Sequence, residues 1–198
     1  MTEHYYSENP SAAHDMRRVE FELLGVGIQC YTDAGTFSRD GLDRGTEVLL
    51  KALPQMSGRV LDLGCGWGPV GIVLGRRYPE LDIVMTDVNS RAADLARKNV
   101  ESNGVHARVL QGNGFEAVEG RFDAIITNPP IRAGKALIYS LFDQSRDFIT
   151  DNGALYVVIR KQQGAPSALN HLRETWNRAE IIDRASGYWV LRADMKEA

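Results

Sequence analysis

Val60-Leu61-Asp62-Leu63-Gly64-Cys65-Gly66-Trp67-Gly68-Pro69 decides the fold. The apolar residues with one acid among them predict a buried strand over 59–63. The glycines predict a tight turn, because they adopt backbone angles that other residues avoid. Pro69 suits the first turn of a helix, predicted over 69–77. The same alternation continues downstream. Short apolar runs predict strands over 81–86, 107–110, 122–127 and 154–159, separated by helical patterns over 89–103, 136–149 and 166–176. Residues 180–183 and 188–191 read as two closing strands joined by a Ser186-Gly187 turn. Strand and helix in this order predict an α/β fold with a doubly wound, mostly parallel, seven-stranded sheet. Such sheets bind ligands at the carboxyl ends of their strands, so those ends carry the functional reading.

Upstream of this core the pattern differs. Residues 1–16 read as an irregular arm. Val19, Phe21 and Leu23 then alternate with Arg18, Glu20 and Glu22, which predicts a half-buried strand. Gly25-Val26-Gly27 is the expected turn and Ile28-Gln29-Cys30-Tyr31 the return strand of a β-hairpin. Residues 35–41 read as loop, and Val48, Leu49, Ala52 and Leu53 lie on a helix ended by Pro54. The expected organisation is therefore an N-terminal arm, hairpin and helix over 1–57, packed on a ligand-binding core over 58–198 to form one globular unit.

Composition bounds the function. At 198 residues, 43% apolar and 25% charged, the chain is an ordinary globular length with ordinary globular usage. No apolar run approaches the roughly 20 residues of a membrane span, and the first residues lack the basic and apolar regions of a secretory leader. Cys30 and Cys65 suggest no disulfide framework, and a cytoplasmic location is expected. No Cys or His pair has metal-ligand spacing, so no metal is expected. The four histidines are scattered and have no nucleophile setting. A net charge of −3 argues against coating nucleic acid by charge alone, but leaves room for a local basic patch.

The strand ends carry polar residues of particular kinds. The dinucleotide pattern requires a glycine where Pro69 stands, which weakens that reading. Asp62 ahead of the glycine turn suits a cationic ligand, a sulfonium or ammonium, where a pyrophosphate would be repelled. Asp87 ends the second strand, where an acid accepts the hydroxyls of a ribose; it also suits a helix cap. Val88 offers an apolar surface to a purine. Asn113 offers an amide to an adenine edge, or serves only to turn the loop. After the fourth strand comes Thr127-Asn128-Pro129-Pro130-Ile131. Two prolines fix the backbone and remove two donors, leaving the Asn128 side-chain oxygen and the Pro129 carbonyl as acceptors. Such a pair suits an NH2 group, which has two hydrogens to donate. An amide is no base near neutral pH, so its contribution is orientation and stabilisation of a developing ammonium.

These residues resemble the motifs of class I S-adenosylmethionine-dependent methyltransferases that methylate nitrogen, which are Rossmann-like. More narrowly they resemble the ribosomal RNA small-subunit methyltransferase C type, which makes N2-methylguanosine, in a short single-domain form. Phe37-Ser38-Arg39-Asp40-Gly41-Leu42-Asp43-Arg44-Gly45, the run from Thr127 to Lys135 and the run from Lys161 to Ala168 carry the narrower likeness. The resemblance implies S-adenosylmethionine held by Phe37, Asp62, Gly64, Cys65, Gly66, Gly68, Asp87, Val88, Asn113 and Asn128. It implies catalysis by Asn128, Pro129, Pro130 and Ile131, with Arg132, Lys135 and Lys161 meeting RNA phosphates. Ile131 stands where many Asn-Pro-Pro enzymes carry an aromatic residue. The implied partner is RNA, ribosomal or within a ribosomal particle. Other NH2 substrates stay open, namely a protein glutamine, a DNA adenine or a small molecule, as does a non-catalytic cofactor-binding module that interacts with RNA. Tyr5, Tyr6 and residues 37–43 are expected to cover the cofactor and border the substrate pocket, or else to cap the sheet edge. These patterns specify no oligomeric state.

Overall fold

The computed structural model describes residue 8 and residues 12–196. A two-stranded antiparallel hairpin, β1 (Arg17–Leu23) and β2 (Val26–Thr32), precedes α1 (Arg44–Ala52). The core follows as β3 (Arg59–Leu63), α2 (Pro69–Arg77), β4 (Asp82–Asp87), α3 (Ser90–Ser102), β5 (Ala107–Gln111), β6 (Phe122–Thr127) and α4 (Lys135–Ser145). It closes with β7 (Ile149–Arg160), α5 (Ala165–Thr175), β8 (Arg178–Ala185) and β9 (Tyr188–Asp194). The seven core strands form one sheet in the order β5-β4-β3-β6-β7-β9-β8. Pairing is parallel from β5 to β7, and β9 runs antiparallel to both its neighbours. The expected doubly wound, mostly parallel fold is thus the observed one. The chain winds outward from β3 to β5, then returns to β6 on the other side. The crevice at the carboxyl ends of β3 and β6 is therefore the switch point at which such sheets bind ligands.

Period-two alternation divides the strand side chains between two apolar layers. Val60, Ala124, Ile126, Tyr156 and Val158 face the hairpin, α1, α2 and α3; Leu61, Ile125, Leu155, Val157 and Ile159 face α4 and α5. Asp62 shares the face of Val60 and is consequently buried beneath α2. The N-terminal segment belongs to the first layer: Leu23, Ile28 and Cys30 of the hairpin and Val48, Leu49 and Leu50 of α1 join the same core.

Three local expectations are corrected. The hairpin turn is Leu24-Gly25, both at positive φ (54° and 76°), and Val26 and Gly27 already pair in β2. Two residues at positive φ make the tight turn that matches strand twist, a demand hidden by the non-glycine Leu24. The helix expected over 136–149 ends at Ser145; a 3-10 turn, Arg146–Phe148, leads into β7, which starts at Ile149. Asp151-Asn152-Gly153 lies within that strand, where the pairing with β6 shifts register between Phe122 and Ala124. Gly153 is required there, since a Cβ would stand 2.7 Å from the Phe122 carbonyl oxygen. The closing strands are also longer than predicted, because pairing along β9 carries β8 out to Arg178 and Ala185.

Candidate active site

The glycine loop folds over the end of β4. The backbone N–H groups of Gly64 and Cys65 both donate to the Thr86 carbonyl at 2.8 Å, and that of Gly66 donates to Asp87 Oδ2 at 2.7 Å. These are the donors that would cradle a pyrophosphate in a dinucleotide site, and here they are already engaged. Gly64 and Gly66 have φ of 74° and 56°, and a Cβ at either would enter open space, so the loop needs glycine for conformation and leaves its cleft side clear. Gly68, at φ 95°, does a different job: its Cβ position lies 2.9 Å from Met85 Cε in the core, and it does not line the cleft. The helix-packing glycine absent at position 69 is supplied by Gly71, whose Cβ position lies 2.7 Å from Met85 Sδ.

Two connected chambers flank this loop. The larger, about 500 Å³, runs past the ends of β4, β5 and β6, and its walls include Asp87, Val88, Asn113, Pro130 and Leu137. The smaller lies above α2 and α1 and includes Asp43, Thr46, Asp62 and Cys65. Phe37, Gly64, Gly66 and Asn128 line both. Phe37 is brought here because its loop is tied to α3: Asn89 Nδ2 donates to the Gly35 carbonyl at 2.9 Å and Arg91 Nη1 to that of Ala34 at 2.6 Å. Tyr5 and Tyr6 lie outside the described residues.

The acids of the site are buried. Asp62 is 2% exposed and accepts the Gly71 N–H at 3.0 Å, satisfying a free donor of the first turn of α2. Burial pushes its carboxyl up to about 7; the Gly71 bond opposes this and the charge of Asp87 adds to it. Asp87 is raised too, chiefly by burial, against the N–H groups of Asn89 and Gly66. It is not the helix cap, since Asn89 accepts from Ala92 N at 3.1 Å and caps α3 itself. The same burial and the two neighbouring carboxylates hold the Cys65 thiol well above its ordinary value, so it is no nucleophile. Two carboxylates held toward neutrality beside one cleft are stabilised as anions by a cation. Thr86 Oγ1 is a further polar atom of this wall, buried and without a hydrogen-bond partner among the described residues.

Asn128 ends β6 at the junction of the chambers. Its Nδ2 donates to Asp43 Oδ2 and to Thr46 Oγ1, both at 3.0 Å. A carboxylate only accepts, so the NH2 side of the amide must face α1 and the oxygen must face away from it. Thr46 is the site residue that the sequence did not reveal. Asp43 belongs to the segment 37–43 expected to border the substrate pocket, but its contact with Asn128 was not expected, since nothing in local spacing joins α1 to the end of β6.

The remaining expected residues divide. Pro130 lines the larger chamber, whereas Pro129 is buried outside the wall. Ile131 turns away and packs on the α4–α5 core. Asn113 lines the cleft and also closes its own turn, accepting from Glu116 N at 3.2 Å. Arg132, Lys135 and Lys161 are exposed and line neither chamber. Lys135 Nζ donates to Ser167 Oγ at 3.4 Å, and Lys161 begins the short turn that ends at Gly164 beside Lys135. All three thus follow the carboxyl ends of β6 and β7, on the same end of the sheet as Asn128.

Comparison with known proteins agrees with this geometry. Residues 27–192 match the methyltransferase small domain family. The chain is 37% identical to the uncharacterized protein YbxB of Bacillus subtilis over 98% of both sequences. It is 34% identical to ribosomal RNA small subunit methyltransferase C of Escherichia coli over 89% of this chain and 51% of that one. In structure it resembles a T. thermophilus 16S rRNA N2 G1207 methyltransferase in complex with AdoMet and guanosine, with a TM-score of 0.83 and 24% identity, covering 94% of this chain and 52% of that one. The chain therefore spans about half the length of these ribosomal RNA methyltransferases.

Proposed function

The chain belongs to the methyltransferase small domain family and is an S-adenosylmethionine-dependent methyltransferase; from that premise we propose that it methylates the exocyclic N2 of a guanine in ribosomal RNA. The observation that carries the choice of an NH2 target is the fixed amide of Asn128, which turns its oxygen away from α1 at the junction of the two chambers.

The residues present fit the cofactor. The glycine loop leaves its cleft side clear, the buried acids favour a cation, and Thr86 Oγ1 is an unused polar atom in the wall. A carboxylate has about four acceptor positions. Asp87 uses two of them on Gly66 and Asn89, which leaves capacity for the hydroxyls of a ribose. Bound S-adenosylmethionine supplies an electrophilic methyl group on a sulfonium. Asp62, ionised beside it, stabilises the positive charge. Val88 and Asn113 flank the adenine, and Phe37 covers the junction.

Asn128 Oδ1 accepts a hydrogen of the target amine. Guanine N2 is a poor nucleophile because its lone pair is delocalised into the ring. Holding that hydrogen helps the nitrogen to pyramidalise and aims its lone pair, and the same oxygen meets the positive charge that develops on it. Arg132, Lys135 and Lys161 meet the RNA backbone. Support for the RNA substrate comes from the names of the relatives and from the position of these three cations. The test is nucleoside mass spectrometry of ribosomal RNA from a strain lacking the gene. Loss of one N2-methylguanosine is expected. An unchanged N2-methylguanosine content would remove guanine N2 as the target and return protein amides, DNA adenine and small amines to consideration.

A further inference from the structure

We propose that Asp43 and Thr46 are positioning residues for methyl transfer: by accepting both hydrogens of the Asn128 amide they fix its oxygen toward the target amine, so that α1 is a working part of the active site. The proposal rests on the reading of Asn128 as the residue that receives that amine.

The geometry is specific. A primary amide has two orientations about its terminal bond, and only one presents an acceptor to the chamber. Turning Asn128 over would set its carbonyl oxygen against the Asp43 carboxylate, about 3.0 Å away, with no proton between them. Thr46 adds a second acceptor at the same distance. Asp43 is itself fixed. It caps α1, accepting the Thr46 N–H at 3.0 Å through the same Oδ2 that receives Asn128. Gly45 leaves it room, since a Cβ there would stand 2.8 Å from Asp43 Oδ2 and 2.9 Å from the Tyr188 ring. Arg44 is drawn off to Ser186 and Glu47 and so does not neutralise Asp43. A negative charge behind the amide also polarises it, making the oxygen on the far side a better acceptor for an amine that becomes positive.

An exchange experiment separates this role from simple helix capping. Methyl transfer from labelled S-adenosylmethionine is measured on small ribosomal subunits, and on RNA extracted from them, from a strain lacking the gene. Asp43→Ser keeps a capping oxygen but is too short to hold Asn128. Roughly a tenfold or greater loss in kcat is expected, with S-adenosylmethionine affinity within about threefold of wild type. Thr46→Ser should keep activity and Thr46→Val should lose it. Asn128→Asp sets two carboxylates face to face, and Asp43→Asn combined with Asn128→Asp restores a donor and an acceptor with their places exchanged, although the Thr46 N–H then loses the Oδ2 that caps it, a loss that Asp43→Asn alone measures. The double variant should recover roughly tenfold over Asn128→Asp alone.

Thermal melts test the same pair without any substrate. Two adjoining carboxylates retain a proton in the folded state that the unfolded chain releases, so Asn128→Asp should lose more stability than wild type between about pH 5 and pH 8. The double variant should not. Asp62 of β3, Cys65, Tyr188 of β9 and Arg44 are the other ionisable groups among the described residues around this pair, and all four are unchanged across the series. Wild-type kcat in Asp43→Ser, or a double variant no better than Asn128→Asp in both assays, would overturn the proposal. If Asn128→Ala itself keeps normal turnover, the reading of Asn128 fails first. If Asn128→Ala is inactive while Asp43→Ser is normal, only the positioning role fails.

Discussion

Among the described residues Asn128 Nδ2 donates to Asp43 and Thr46; under the proposed reading its two atoms have separate work, with Nδ2 anchoring and Oδ1 presenting. Removing the oxygen should therefore affect the transition state more than cofactor binding. Asn128→Ala is expected to slow methyl transfer by roughly 30–1000-fold, about 2–4 kcal/mol, with S-adenosylmethionine affinity changed only a few-fold. Single-turnover rates and calorimetry on the same preparation distinguish the two effects. Asp87 behaves in the opposite way. Its carboxylate organises the Gly66 and Asn89 N–H groups, and under the proposed reading also holds the ribose. Asp87→Asn should weaken S-adenosylmethionine binding about tenfold or more, the scale of a lost charge-assisted bond. Unchanged affinity by calorimetry would remove it from the site.

At the scale of elements, β7 joins strength to strain. Its central residues, Leu155, Val157 and Val158, are fully buried between β6 and β9, while its first residues bend where pairing with β6 slips. Gly153 lets the backbones approach there. In Gly153→Ala the new methyl would press on two carbonyl oxygens of β6, at 2.7 and 3.0 Å, which cannot move aside as a side chain can. A loss of about 1–3 kcal/mol in denaturant unfolding is expected, with S-adenosylmethionine affinity nearly unchanged because the slip lies at the end of the sheet opposite the cleft. This bend also marks where the sequence stopped being legible. The core strands and α2 were readable because apolar runs and Pro69 leave local signals. Asp151-Asn152-Gly153 carries turn chemistry and yet lies in a strand, because pairing with Phe122 outweighs local preference. The site divides in the same way. Asn128, Asp87 and the glycine loop were legible from their places after strands. The partnership of Asn128 with Asp43 and Thr46 was not, because those contacts join residues 85 and 82 positions apart.

For the whole molecule, the buried carboxyl of Asp62 links stability to pH. Its carboxyl is raised from 3.8 to about 7 in the folded chain. Between those values the folded state keeps a proton that the unfolded state has released. Stability of the cofactor-free protein should therefore fall as pH rises from about 4 to 7 and level off above, by roughly 3–4 kcal/mol as an upper bound. Asp62→Asn, which keeps an oxygen for the Gly71 N–H, should flatten the profile. A cationic ligand favours the ionised form, so stabilisation by S-adenosylmethionine should grow over the same range. Melting curves across this range, with and without cofactor, check both signs. A profile unchanged by Asp62→Asn would show that another group carries the linkage.

The clamp between Arg44 and Ser186 sets a timetable for synthesis. Arg44 Nε and Nη2 hold Ser186 Oγ at 3.0 and 2.8 Å across 142 residues of chain, and Gly45 lies against Tyr188 of β9. α1 leaves the ribosome early, but the strands that seat it, β7 and then β9, are made later. At ordinary elongation speeds of about 5–20 residues per second the wait is roughly 7–30 s. Until β9 emerges, Asp43 lacks the complete platform of α1, and on the positioning role proposed for it Asn128 is not yet oriented. Nascent chains arrested before Ser186 should therefore be without methyl-transfer activity; under the proposed reading, a partly made enzyme then does no chemistry on the RNA of the ribosome that is making it.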